Sequence, residues 1–388
     1  MTISQVYELV NAATLSVLGE NAVLAEDLSN VVDIGREIQN LDDGYNKFVS
    51  SLVDHIGKVV FVNRPYSGSA PSVMMDSWEY GSIMEKISSE MPNATINESW
   101  ELEDGASYDP FVYHGTKADV KFYNKMVTFE VDKSIMDRQL RESFSNATQL
   151  NAFISMIFNE VDKALTIKND ALVMRTINNA IGETFYDLNH SGSYTTGGNK
   201  AVNLLEIYNS RFSPTTPLSA ADAIYTPDFI RFASYHMGLY VDRLGRMSTL
   251  FNVGGKPRFT PRDSLHTIFL SEFDKAAGVY LYDAANQFNS ESLKLPNAET
   301  VPFWQGSGTD YGFSSTSAIN ITTGSGHAVS ATGILGVMFD RDALGVANFN
   351  SRVTTQYNAK AEFTNYFYKR DARYFNDMNE NFIVFYVA

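Results

Sequence analysis

The sequence contains no cysteine among its 388 residues. This absence excludes disulfide cross-links, thiolate catalysis, zinc fingers and iron–sulfur clusters, and it is compatible with a reducing compartment. Charged residues are also scarce, at 19% of the chain, whereas aromatic residues reach 13%. A disordered chain has the opposite balance, because it lacks the aromatic side chains that build a core. We therefore expect a folded protein with a large core, in one large domain or two to three smaller ones.

Basic residues are the minority charge, with 30 Lys and Arg against 45 Asp and Glu, which gives a net charge of −15. A field of that sign repels phosphate groups, so general nucleic-acid binding is not expected. Long apolar runs are missing too, since the longest, such as 59–62 and 382–388, are far shorter than the roughly 20 residues that cross a bilayer. The first basic residue is Arg36, which leaves no charged region for a signal peptide. We expect neither a membrane-spanning segment nor secretion.

Motifs of the common enzyme classes are also missing. The six His residues never stand four positions apart, no Ser has a Gly two positions away on both sides, and no phosphate-binding glycine loop occurs. Residues 340–345 match a calcium loop only in part, because Leu344 stands at a ligand position and Ser351 replaces the bidentate Glu. The sequence therefore predicts no catalytic residue, no cofactor and no metal ligand, which favours a non-enzymatic protein.

The start of the chain is predicted to form a helical arm. Residues 4–18 carry an apolar stripe at spacings of three and four, and Gly19 follows it. Further helices are expected at about 21–41 and 42–56, and a strand is expected at 58–63.

A long excursion follows, in which Pro and Gly residues recur between positions 64 and 116. The stretch 73–110 carries nine acidic residues and a single basic one, Lys86. A loop of this length inside a compact domain is either functional or disordered. Its widely spaced aromatic residues, including Trp78 and Trp100, favour a segment that folds against a partner, and Ile83 to Ile87 alternate as a strand would.

The clearest helix begins after the N-cap residue Asn146 and continues to Ile181, where Gly182 is expected to end it. At 1.5 Å per residue this helix is about 50 Å long, some three times the usual length. A mixed α/β region follows, from Pro214 to about Gly345. The sequence predicts a helix at 228–244 and strands at 265–270, 333–339, 353–364 and 381–387.

The order of these parts resembles the major capsid proteins of tailed phages with the Hong Kong 97-type fold, and is most similar to those of short-tailed phages that infect Gram-positive bacteria. The resemblance covers nearly the whole chain in order. It rests on the following segments: 51–60, 80–87, the helix at 146–181, 337–345 and 363–387.

The resemblance implies an α+β fold with an N-terminal arm, an extended loop called the E-loop, a peripheral P-domain around the long spine helix, and an axial A-domain. A turn near Asn358 to Glu362 would face a local three-fold axis. The implied bounds are 1–45 for the arm, 46–61 for entry into the P-domain, 62–118 for the E-loop, 119–212 for the P-domain with its spine helix 146–181, 213–345 for the A-domain, and 346–388 for the closing P-domain strands.

The same resemblance implies a function. Pentamers and hexamers of the chain would form an icosahedral or prolate head around double-stranded DNA, without sequence-specific DNA contacts, and the protein would be found in the virion. A separate scaffolding protein and a portal would be its partners. Two alternatives remain: an encapsulin-like cargo shell, and a cytosolic hydrolase that uses the carboxylates Glu101, Glu103 and Asp104.

Contacts between subunits are expected where the E-loop lies over a neighbour. Its acidic residues would meet the basic cluster formed by Lys369, Arg370 and Arg373. Some relatives cross-link an E-loop Lys to an Asn near the three-fold axis; Lys86 and Asn358 are the candidate pair here, although no catalytic Glu stands beside them in sequence. The full set of candidate contact residues is Trp78, Glu79, Glu85, Lys86, Trp100, Glu101, Glu103, Asn358, Lys360, Lys369, Arg370 and Arg373.

Overall fold

The structure is a computed structural model that combines helices with mainly antiparallel sheets, which confirms the α+β class. The residues that it describes are 3–19, 24–25, 30–40, 47–48, 51, 71–75, 84–89, 91–92, 94, 104, 111–115, 117–136, 147–280, 295–305 and 312–388.

The helices of the described residues are α1 Ile3–Leu18, α2 Val31–Asn40, α3 Ala147–Ser191, α4 Leu204–Phe212, α5 Ala220–Ala223, α6 Pro227–Leu244, α7 Ser271–Tyr280 and α8 Phe313–Thr316. The strands are β1 Met84–Ser89, β2 Ala118–Tyr123, β3 Met126–Met136, β4 Ala201–Asn203, β5 Leu265–Leu270, β6 Ala298–Val301, β7 Ile319–Thr322, β8 Ala328–Ala331, β9 Ile334–Asp340, β10 Leu344–Asn358, β11 Phe363–Asn376 and β12 Phe382–Tyr386. In these parts of the chain, the helices are too short or too polar for a bilayer crossing.

Helix α1 confirms the amphipathic helix that the sequence predicts at the start of the chain. It ends at Gly19, whose φ of +74° is the left-handed conformation of a helix cap and whose N–H donates to Leu15 O at 3.0 Å. Of the helix expected at 21–41, the described residues contain only α2: Leu24 and Ala25 are not helical, so the predicted start was too early. The helix expected at 42–56 and the strand at 58–63 lie outside the described residues, apart from 47–48 and 51.

Helix α3 is 45 residues long and continues ten residues beyond the predicted end at Ile181. Gly182 does not end it, so that prediction was wrong. A Cβ at Gly182 would lie 2.9 Å from Thr323 Cγ2 and 3.0 Å from Ile321 Cδ1. The missing side chain therefore lets the β7–β8 hairpin approach the helix closely, which is a packing role and not a capping role.

A five-stranded sheet lies at the centre of the molecule in the order β4-β12-β9-β5-β6. Both of its faces are buried. On β12, Phe382, Val384 and Tyr386 point to the core that α3 covers, whereas Ile383 and Phe385 point to the core under α4, α6 and α7. The sequence correctly predicts α6, β5 and β9 to within a residue or two. For β9 the signal is a nearly continuous apolar run, which marks a strand buried on both faces.

A three-stranded antiparallel sheet, in the order β10-β11-β3, packs on α3. The period-two pattern predicts one strand over 353–364, but the chain turns there and β10 and β11 form a hairpin. Asn358 Oδ1 accepts hydrogen bonds from the N–H groups of Lys360 and Ala361, at 3.1 and 3.2 Å, and Glu362 has φ +49°. This is the turn that the capsid resemblance implies.

Candidate assembly surfaces

The β1–β2 hairpin carries two lysines to the turn between β11 and β12. Lys86 on β1 and Lys121 on β2 stand directly opposite each other in the antiparallel register. Lys86 Nζ lies 2.9 Å from Asp377 Oδ2 and 2.7 Å from Glu380 Oε1, and Lys121 Nζ lies 3.1 Å from Asp377 Oδ1. Arg258 Nε donates to Glu380 Oε1 at 3.1 Å. We call these five residues the anchor cluster.

The carboxylates of the anchor cluster are the most deeply buried part of it, with 2% of the Asp377 side chain and 10% of the Glu380 side chain exposed. Burial alone would raise the pKa of Asp377, but the hydrogen bond and charge of Lys86, the Asn379 N–H and the charge of Lys121 outweigh it, so the pKa is lowered. Burial alone would lower the pKa of Lys86, but Glu380 and Asp377 outweigh it and raise the pKa. Both groups are therefore charged near neutral pH.

A second attachment lies near the start of the excursion, at residues 71–75. Glu299 on β6 accepts hydrogen bonds from Ser72 N at 3.1 Å and from Ser72 Oγ at 2.7 Å. Met75 N donates to Val346 O at 2.9 Å, and Val73 is fully buried. The excursion is thus fixed to its own subunit at two separate points.

The face of the hairpin opposite the lysines is exposed and mainly apolar, with Glu85 opposite Phe122 as its charged member. Ile87 is 67% exposed and Phe122 is 63% exposed, and Val120 lies opposite Ile87 in the register. Further along the excursion, Phe111 is 91% and Tyr113 is 90% exposed. Several large apolar side chains exposed on one segment are typical of an interaction surface. We call this set the outward face of the excursion.

The structure distributes the contact residues expected from the sequence over separate surfaces. Glu85 is exposed on the hairpin, whereas Lys86 belongs to the anchor cluster. Asn358 and Lys360 lie in the β10–β11 turn, at the far end of two strands that are about 46 Å long at 3.3 Å per residue. Lys86 lies at the other end, with its Nζ 3.4 Å from Asp342 O, so the two residues of the candidate cross-link lie apart within one subunit.

The basic cluster on β11 already has neighbours inside the subunit. Lys369 Nζ lies 2.9 Å from Glu130 Oε2, the residue directly opposite it on β3. Arg373 is only 6% exposed. The candidates Trp78, Glu79, Trp100, Glu101 and Glu103 lie outside the described residues. A role of any of these residues between subunits stays a prediction.

Sequence reasoning missed most of the anchor cluster. It singled out Lys86 as a basic residue in an acidic stretch, but not Lys121, Arg258, Asp377 or Glu380. A weak signal was available, because Lys86 and Lys121 occupy the same face of two alternating strands. Among the described residues, His, Asp and Glu side chains do not gather in groups of three or more that could hold a metal ion.

Comparison with known proteins gives one assignment by sequence. A family model described as "Phi29-like phage major capsid protein" matches residues 10–386, which is nearly the whole chain. No curated protein sequence matches the chain.

Solved phage structures are similar to this chain at low sequence identity. The capsid structure of Staphylococcus phage Andhra is 8% identical, with a TM-score of 0.48, and the match covers 81% of this chain and 83% of that chain. A structure of native bacteriophage P68 is 10% identical, with a TM-score of 0.49 and the same coverage. The capsid structure of cyanophage P-SCSP1u is 11% identical, with a TM-score of 0.47, over 84% of this chain and 92% of that chain.

The assignment rests on the family model, since similarities at these TM-scores carry no weight of their own. The family does not favour the cargo-shell or hydrolase alternatives. With its match over residues 10–386, the chain belongs to the family of Phi29-like phage major capsid proteins, which form the shell of the virion.

Proposed function

We propose that this chain assembles as pentamers and hexamers into an icosahedral or prolate head that encloses double-stranded DNA without sequence-specific contacts. The observation that carries the proposal is the outward face of the excursion. The hairpin is tied to its own subunit by buried ion pairs and presents apolar side chains that the same subunit leaves exposed. Such a surface becomes stable when another copy covers it.

In the Hong Kong 97-type naming, we propose that residues 62–118 are the E-loop, that α3 with the β3–β11–β10 sheet forms the P-domain, and that 213–345 is the body of the A-domain. The central sheet adds a refinement. Strands β4 and β12 lie within the proposed P-domain bounds, yet β12 pairs with β9 of the A-domain sheet and β4 pairs with β12. Because the strands of one hydrogen-bonded sheet form a single layer, the A-domain takes these two strands as well.

The proposal extends to partners and host. A separate scaffolding protein would direct assembly, and a portal would occupy one vertex. We further propose a non-enzymatic role, in a short-tailed phage that infects Gram-positive bacteria. The net charge of −15 supports a shell that does not adhere to the genome that it encloses.

The test of this function is assembly. The chain is expressed with and without the scaffolding gene that neighbours it, and size-exclusion fractions are viewed by negative-stain electron microscopy. We expect closed shells tens of nanometres across, with DNA inside the particles recovered from infected cells. Protein that elutes only as the 43.2 kDa monomer or as a small oligomer in both cases would contradict the proposal.

The contact expected at the basic cluster on β11 can be tested in the same assay. We expect Lys369→Glu together with Arg370→Glu to reduce the yield of shells, because the reversed charges would repel the acidic excursion of a neighbour. The variant also breaks the cross-strand pair with Glu130. Adding Glu130→Lys restores that pair. A low yield of shells that persists in the triple variant supports the contact between subunits. A normal yield from the triple variant would contradict this contact.

A further inference from the structure

Helices α4 and α6 form an exposed surface in which arginine and aromatic side chains alternate. The Phe212 and Phe232 ring centroids lie 5.7 Å apart, and Phe232 lies 4.3 Å from His236. These ring contacts fix the end of α4 against the middle of α6. On the outside of this contact, Phe212 is 56% exposed and Tyr235 is 58% exposed.

Two guanidinium groups frame this surface. Arg211 Cζ lies 5.9 Å from the Phe212 ring centroid, and Arg243 Cζ lies 4.9 Å from the Tyr240 ring centroid. Burial lowers the pKa of His236, and the charges of Arg243 and Arg211 lower it further, so both arginines lie near the same imidazole. We call Arg211, Phe212, Tyr235, His236 and Arg243 the basic face.

The charges of the basic face are not neutralised within the described parts of the subunit. Arg211 and Arg243 are exposed, and neither makes an ion pair there, in contrast to Arg231, which pairs with Asp228 on the same helix. Neither ring nitrogen of His236 has a hydrogen-bond partner among the described residues. In a chain of net charge −15, an exposed pair of arginines beside exposed aromatic rings is an unusual local environment. It fits a ligand that is acidic and aromatic.

The chain contains a segment with those properties. Residues 94–110 carry five acidic side chains and no basic one, together with Trp100 and Tyr108. We propose that the basic face of one copy binds the acidic segment 94–110 of a second copy. This inference rests on the proposed function, because it names the surface on which one subunit of the shell receives its neighbour.

The flank of the acidic segment favours a second copy over the same copy. Asp104 is exposed, and Phe111 and Tyr113, which follow the segment, keep about nine-tenths of their surface exposed on their own subunit. The structure also places Lys369 beside Glu130 and leaves Arg373 only 6% exposed. The basic face is therefore more accessible to segment 94–110 than the cluster on β11, and acidic residues of the excursion outside this segment, such as Glu85, are the ones proposed to meet Lys369 and Arg370.

Duplex DNA is the other polyanion that such a surface could meet. The net charge of the chain opposes it, since the long-range field of the subunit repels a highly charged duplex more strongly than a short segment with five carboxylates. The proposal therefore commits to the acidic segment, and DNA binding becomes an outcome of the test.

The first experiment measures binding without assembly. A fluorescein-labelled peptide with the sequence of residues 94–110 is titrated with the unassembled full-length chain, and its anisotropy is followed. We expect saturable binding that weakens at least ten-fold in the Arg211→Glu, Arg243→Glu double variant and with rising salt. The control variant Arg231→Glu, on the same helix, should change affinity less than two-fold. A peptide with Glu101→Gln and Glu103→Gln should also bind more weakly.

The second experiment uses assembly and charge exchange. The Arg211→Glu, Arg243→Glu chain should give few shells, and adding Glu101→Lys and Glu103→Lys to the same chain should restore them. Unchanged peptide affinity in the double variant, or normal shells from it, would overturn the inference. So would a 20-base-pair duplex that binds the basic face more tightly than the peptide. If the wild-type chain forms no shells at all, the proposed function fails. The peptide titration still tests independently whether the basic face binds segment 94–110.

Discussion

Asp377 has only 2% of its side chain exposed and lies between two lysines of the excursion hairpin. Removing one partner of a buried ion pair is costly, because the remaining charge has lost both its hydration and its counter-charge. The ion pairs that hold the hairpin on its own subunit therefore also stabilise the folded subunit.

We expect Lys86→Met to lower the free energy of unfolding of the unassembled subunit by about 1–3 kcal/mol, less than for a fully buried pair because Lys121 and Arg258 remain. Urea denaturation measures the loss. The matched control is Lys275→Met on α7, where the lysine side chain is 83% exposed, and its effect should stay within about 0.5 kcal/mol. Equal denaturation midpoints for wild type and Lys86→Met would contradict this prediction.

The same pair gives a prediction for pH. The pKa of Asp377 is lowered in the folded state, so its contribution is present above the usual Asp value of about 3.9 and is lost as the pH falls through the lowered value. The pKa of Lys86 is raised, so its contribution persists up to the ordinary lysine range and is lost as the pH rises through the raised value.

We therefore expect the stability difference between wild type and Lys86→Met to be constant from about pH 5 to 9 and to shrink in strong acid. Urea denaturation of both proteins across this range is the measurement. A difference that declines steadily between pH 8 and 6 would point to a histidine and not to Asp377.

At the level of single residues, sequence reasoning identified Lys86 but could not identify its carboxylate partners. Asp377 and Glu380 come from a turn near the other end of the chain, and nothing local to either segment fixes their distance. The pairing follows from two facts of tertiary structure, namely that β11 leads into that turn and that the hairpin lies across it.

Helix α3 shows at the scale of an element why a helix end is difficult to predict. A glycine after an apolar stripe usually marks a C-terminus. At Gly182 the requirement comes from the β7–β8 hairpin, which packs where a side chain would stand. The helix ends at Ser191, before Gly192, whose N–H donates to Leu188 O.

Whether a helical glycine is required for packing can be measured by substituting three of them with larger residues. Gly278 on α7 and Gly238 on α6 have open space around a built Cβ, so their substitution by Ala should stabilise the subunit by about 0.5–1 kcal/mol. Gly182→Val should destabilise it by about 1–3 kcal/mol, because the added atoms overlap Thr323 and Ile321. A stabilising Gly182→Val in thermal or urea denaturation would show that the hairpin does not require the glycine.

The strands differ in how well the sequence predicts them. Strands β9 and β12 are predicted well, because burial on both faces leaves nearly continuous apolar runs with clear ends. The turn between β10 and β11 is hidden from periodicity, since Ala359 to Glu362 preserve the alternation of polar and apolar residues. The turn depends instead on the Asn358 side chain, which binds the backbone of the next residues.

For the whole molecule, the main feature is a large core under a surface that remains partly apolar. The outward face of the excursion is exposed in the single subunit. In a capsid shell, neighbouring copies of the chain can cover it. Its burial should contribute to assembly and not to subunit folding.

We therefore expect Phe111→Ser with Tyr113→Ser to reduce the yield of shells several-fold while leaving the urea midpoint of the subunit unchanged, since both side chains are about nine-tenths exposed there. Val279→Ser, at an exposed apolar position on α7, is the control for a general change in surface polarity. Normal shell yields from the double variant would show that this part of the excursion makes no essential contact.

The length of α3 has a mechanical consequence. Its C-terminal part belongs to the main core from Leu172 onwards, and nearer its N-terminus Glu160 pairs with Lys133 on β3. The stretch from Leu172 back to Ala147 is about 38 Å long, so a tilt of only 5° at the core displaces the other end by roughly 3 Å. Any rotation that the helix shares with the buried sheet is therefore amplified along its length, so Ala147 would move much further than Leu172.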